Sequence, residues 1–132
     1  MKFMLMMHTP PQTSEWPFLQ WRPEDWDAHM EYWRTLNADL AAAGEFVQVQ
    51  ALTEPGRARR VQAGSDGAPP VTDGPFPESK EFLAGYWIID VDSAERAYQV
   101  AARASAAPGP GGAPMNMGIE VRQVMSAPLP DA

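Results

Sequence analysis

The chain has 132 residues, enough for one domain with one core and too few for two ordinary domains. Ten Lys and Arg against 17 Asp and Glu leave a formal charge of −7, and no basic cluster exceeds Arg57, Arg59 and Arg60, which disfavours nucleic acid or an anionic membrane as partner. The absence of cysteine removes disulfides, thiolate metal sites and cysteine nucleophiles together.

The apolar stretch Phe3 to Met7 is too short for a membrane span and lacks the longer apolar region and cleavage site of a signal peptide, so a cytoplasmic protein is expected. Lys2 to Met7 reads as a buried strand that delivers His8 to a pocket mouth beside Thr9-Pro10-Pro11. From Glu24 to Ala43 the apolar positions Trp26, Met30, Trp33, Leu36 and Leu40 recur at spacings of three and four, with Pro23 before them and Gly44 after, which predicts a helix. Phe46 to Leu52 reads as a strand broken at Glu54-Pro55-Gly56, and Arg60 to Ala63 as a short strand forming a hairpin with it.

Val71 to Glu81 reads as a shaped loop, because Gly74 tolerates unusual backbone angles and Pro75 fixes its own φ, constraining Asp73 and Phe76. Phe82 to Asp90 has the aromatic and β-branched content of a buried strand. Asp92 or Ser93 can cap a helix from Ala94 to Ala104 whose apolar face is Ala97, Tyr98, Ala101 and Ala104. Ala106 to Pro114, rich in Pro and Gly, reads as a mobile loop ahead of a last strand, Ile119 to Met125. The expected organisation is one domain over residues 1–126 and a short tail over 127–132. The order of elements predicts an α+β, ferredoxin-like βαββαβ antiparallel sheet with its helices on one face.

His29 lies three residues after Trp26 and four before Trp33, which puts it on or beside the inward helix face. An imidazole there can be a general acid or base if a carboxylate fixes its tautomer, and Asp73 is the candidate carboxylate. The competing readings are a hydrogen-bonded core histidine and an Asp73 that holds its own turn. Trp33, Phe76 and Tyr86 are candidate pocket walls, with His8 at the mouth and Tyr86 a possible hydroxyl donor. Arg122 shares a strand face with Glu120 and can pair with it, bridge a sheet interface or reach the pocket. Lys80 and Glu81 read as solvated charges at a strand entrance. His8 and His29 lack a short ligand spacing, so no metal site is expected, and without phosphate-loop, dinucleotide or nucleophile-elbow motifs no cofactor is expected either.

Asp73-Gly74-Pro75-Phe76, followed by Glu78, Lys80-Glu81 and the strand through Gly85-Tyr86, resembles the signature of the YCII-related proteins, in particular their DGPF branch. Met1 to Met7, Ala42-Ala43-Gly44 and Ile119 to Met125 are similar to the family at matching spacing. The resemblance implies a homodimer in which two sheets pack face to face as a dimeric α/β barrel, for which five Trp and eight Met offer ample apolar surface. It also implies a catalytic His–Asp pair at the places of His29 and Asp73. The expected function is a small cofactor-independent enzyme of lyase, isomerase, dehydratase or cyclase type acting on an apolar or aromatic metabolite. Alternatives are a non-catalytic small-molecule-binding protein, a cofactor-free monooxygenase and a partner of a sigma factor.

Overall fold

The computed structural model describes residues 1–9, 21–64, 67, 69–74 and 81–130. Its main sheet contains β1 (Lys2–Thr9), β2 (Phe46–Ala51), β5 (Phe82–Asp90) and β6 (Ile119–Gln123) in the order β2-β5-β1-β6, every neighbouring pair antiparallel. Helices α1 (Pro23–Ala42) and α2 (Ala94–Ser105) complete the ferredoxin-like α+β fold. No helix among the described residues is long and apolar enough to cross a membrane.

Alternation along β1 separates the sheet faces. Phe3, Leu5 and Met7 are buried with Trp87 and Ile89 of β5. Leu36 and Leu40 of α1, and Ala97, Val100, Ala101 and Ala104 of α2, close this core. On the other face Met4, Met6, Tyr86 and Ile88 stay half-buried, with Glu120 and Arg122 exposed beside them on β6.

Pro23 at the start of α1 has no helical N–H to lose, and Glu24 and Asp25 suit the positive end of the helix dipole. Gly44, at φ +73°, ends it: Gly44 N–H donates to Ala41 and Glu45 N–H to Leu40, a pairing that only a left-handed residue allows cheaply. Glu45 then accepts both Nε and Nη2 of Arg96 at 2.9 and 2.8 Å, which ties the first turn of α2 to the end of α1. Ser93 caps α2 by accepting from the Arg96 N–H. Tyr98, expected on the apolar face of α2, is exposed, and Val100 takes its place because the buried set follows the i, i+3, i+4, i+7 spacing from Ala97.

The hairpin expected between β2 and the following short strand does not form. β3 (Arg59–Val61) pairs instead with β4 (Val71–Asp73) in a separate two-stranded ribbon, while β2 is taken up by β5. Part of the expected loop is therefore strand, and the turn begins at Gly74, whose φ is +79°.

Where β2 meets β5, a Cβ on Gly85 would lie 2.8 Å from the Gln50 carbonyl oxygen, a backbone atom that cannot swing away. Gly85→Ala should lower stability by about 1–3 kcal/mol through forced separation of the two strands. Urea denaturation checks this, and an unchanged midpoint would mean that β2 yields at no cost.

Candidate functional site

Trp26, His29, Met30 and Trp33 follow the i, i+3, i+4, i+7 spacing and turn one face of α1 toward the sheet. His29 is fully buried, and its Nδ1 lies 2.8 Å from the Pro108 carbonyl oxygen. A carbonyl only accepts, so Nδ1 carries the hydrogen and the lone pair of the neutral ring is on Nε2. Trp21 and Trp33 meet the imidazole edge to face at centroid distances of 5.1 and 4.1 Å, and Trp26 lies more nearly parallel to it at 6.1 Å. Burial pushes the His29 pKa below its ordinary value, an effect only partly opposed by the bond to Pro108.

The loop that supplies Pro108 is tied down at several points. Tyr32 Oη and Trp33 Nε1 of α1 donate to the Arg103 and Ala104 carbonyls at 2.8 and 3.4 Å, adding a second donor to carbonyls that also accept from the Ala106 and Ala107 N–H groups at the end of α2. Beyond α2, Ala107 is fully buried, Met115 N–H donates to Ala107 at 2.9 Å, and Gly109 N–H donates to Ala113 at 2.7 Å. Asp25 accepts from the Gly111 N–H at 3.2 Å. Asp25 and His29, one turn apart on α1, thus hold the same loop from two positions. The mobile connector expected from composition is a pinned segment here, its Pro and Gly residues shaping a short 3-10 turn at Pro110–Gly112.

Beside His29 a cavity of about 320 Å³ is lined chiefly by Met7, Trp26, Met30, Trp33, Leu52 and Ala84, with Glu54 also on its wall. A second cavity of about 180 Å³ shares Met7, Met30, Trp33 and Ala51 with it and continues along α1 to Arg34 and Asn37. Together they form one apolar cleft between α1 and the β2–β5 side of the sheet. Its floor is stiffened by Trp87, whose Nε1 donates to Asn37 Oδ1 at 2.8 Å and whose ring meets Trp33 edge to face at 5.4 Å.

Of the residues singled out from sequence, His29 and Trp33 share this cleft; Tyr86 adjoins it on β5, but its side chain belongs to the opposite sheet face, with its hydroxyl 3.5 Å from Gln48 Oε1. Asp73 is elsewhere: its side chain is 92% exposed and lies 3.2 Å from Arg59 Nε across the β3–β4 ribbon. Within one chain His29 and Asp73 are not brought together, and the part expected of the carboxylate is taken by the Pro108 carbonyl. His8 and Arg122 belong to the other sheet face; His8 Nε2 is 3.8 Å from Glu120, and Arg122 is exposed. Phe76 and Lys80 lie outside the described residues. Among the described residues no three His, Asp or Glu gather in a way that could hold a metal ion. Trp26 and Met30 were legible as part of the apolar stripe, whereas no spacing signals that Trp21 and the Pro108 carbonyl close around His29.

Fold and cleft define a small ferredoxin-like α+β protein with a tryptophan-rich cavity against a buried histidine. The chain belongs to the YCII-related family: the YCII-related domain matches residues 1–113, which span every element up to the Pro108 loop and stop short of β6. No functionally curated protein matches the sequence.

Because the folded protein holds a proton on His29 less well than the unfolded chain does, His29 leaves stability intact above pH 6.5, the ordinary value, and erodes it as pH falls below. Glu45 acts lower: Arg96 depresses its pKa beneath the ordinary 4.5, so its stabilisation is present above that value and is lost as pH falls further. His29→Asn, whose amide nitrogen stands at the place of Nδ1 and can still donate to Pro108, should therefore flatten the loss of stability just below pH 6.5, the ordinary value, and leave the Glu45 range unchanged. Urea midpoints at several pH values in both proteins check this; parallel profiles would refute it.

Proposed function

We propose that the cleft between α1 and the sheet binds a small apolar or aromatic molecule and that His29 acts there as a general base through Nε2. The chemistry would be of lyase, isomerase, dehydratase or cyclase type, needing no cofactor and carried out in the cytoplasm. The reading rests above all on a buried imidazole held in one tautomer by Pro108 at the wall of an apolar cavity. A pKa pushed down by burial keeps the ring neutral near pH 7 but makes it a mild base, suited to a proton already acidified by a neighbouring carbonyl. Trp26, at 39% exposure the loosest of the surrounding aromatics, is the wall that would swing to admit substrate. The full burial of His29 favours one competing reading, a binding protein without turnover. A second copy would cover the face carrying Met4, Met6, Tyr86 and Ile88, where Glu120 and Arg122 on one strand offer complementary charges to each other's counterparts.

Wild type should exchange an acidic C–H of a bound aryl ketone for deuterium, followed by NMR, and His29→Gln should slow this by about 100-fold or more. Tryptophan fluorescence would report retained binding in the variant. Undiminished exchange would remove His29 as base, and binding without exchange in either protein would leave the binding role. Light scattering should give twice the 14.5 kDa chain mass, and Met6→Glu should return the monomer; a monomeric wild type would refute the pairing.

A further inference from the structure

The two ends of the cleft differ in charge. At the His29 end the charged wall residue is Glu54, with Arg57 at 4.0 Å. At the far end the charged residue is Arg34, beside Asn37. Asn37 accepts from Trp87 Nε1 through Oδ1, and that bond fixes the amide orientation, so its NH2 is the group left for a ligand. Arg34 offers only Nη1 to Glu31, at 3.2 Å, which leaves most of its guanidinium hydrogens for another acceptor. The far end therefore presents donors, whereas the charged wall residue of the near end is an acceptor whose charge Arg57 offsets.

We infer that the cleft takes an amphipathic carboxylate: an aromatic or apolar body against Met30, Trp33 and His29, and a carboxylate head on Arg34 and Asn37. This rests on the proposal that the cleft is a small-molecule site and adds the class and orientation of its ligand. Arg34 and Asn37 follow His29 by five and eight residues, roughly 7.5 and 12 Å along a helix rising 1.5 Å per residue. Between head group and the atom facing His29 there is room for a body of about two rings. Anionic ligands suit Arg34 through a charge-assisted pair of hydrogen bonds, for which a guanidinium and a carboxylate are matched in shape.

Biphenyl-4-carboxylate and its methyl ester, titrated by tryptophan fluorescence, test this. The acid should bind wild type at least about threefold more tightly than the ester, the factor expected of an ion pair with an arginine whose side chain is 71% exposed. Arg34→Gln should reduce that preference. Asn37→Asp keeps an oxygen for Trp87 but replaces the NH2 by a second carboxylate oxygen, and should abolish the preference. Equal affinity of acid and ester for wild type, or a preference unmoved in both variants, would overturn the head-group assignment and leave the cleft as an apolar site. If neither compound binds wild type, the cleft proposal falls and this one with it.

Discussion

One hydrogen bond, from His29 Nδ1 to the Pro108 carbonyl at 2.8 Å, joins the parts of the chain on which the cleft depends. It ties the middle of α1 to a loop 79 residues further on, so α1, α2 and the segment after α2 must all be in place for it to form. The surrounding contacts support that one. Tyr32 and Trp33 fasten the end of α2, Asp25 fastens the loop past Pro108, and the Glu45–Arg96 pair sets where α2 begins. Each contact is local, a second donor to a helix carbonyl or an acceptor for a loop N–H, and the sum aims one carbonyl at one ring nitrogen.

Burying an imidazole costs less when it is neutral and hydrogen-bonded, and both conditions hold for His29. Among the described residues three tryptophan rings meet it, offering apolar and aromatic contact instead of the hydration that water would give. The same packing gives the cleft its character. Trp26 and Trp33 belong at once to the shell of the histidine and to the wall of the cavity, so the residues that bury the imidazole also make the cavity apolar.

Much of this was legible in the sequence because it depends on period and punctuation. Pro23 and Gly44 bracket α1, the apolar run of β1 and the aromatic run of β5 stand out, and the spacing of Trp26, His29 and Trp33 turns the histidine inward. What escaped depends on contacts between distant segments. β3 could be recognised as a short strand but its partner could not, since nothing local says that Arg59 to Val61 pairs with Val71 to Asp73 instead of with β2. The Pro108 loop was read from composition as a connector, because every residue has a carbonyl and only its aim makes that of Pro108 special. Tyr98 is exposed for a simpler reason: it lies one position off the apolar stripe of α2, and helix geometry overrules ring size.

The change of orienter from carboxylate to carbonyl has a chemical consequence. A carboxylate beside an imidazole holds the tautomer and also stabilises the imidazolium that forms when the ring takes a proton. A carbonyl fixes the tautomer equally well but brings no full charge, so less of the cost of a buried cation is offset. Asp73 cannot make up the difference within one chain, since its 92% exposed side chain interacts through water and is engaged with Arg59. The site in a single chain is therefore built to keep His29 neutral and oriented. Such a ring suits proton removal only if the substrate or its surroundings return the proton quickly or supply a compensating negative charge as it is transferred.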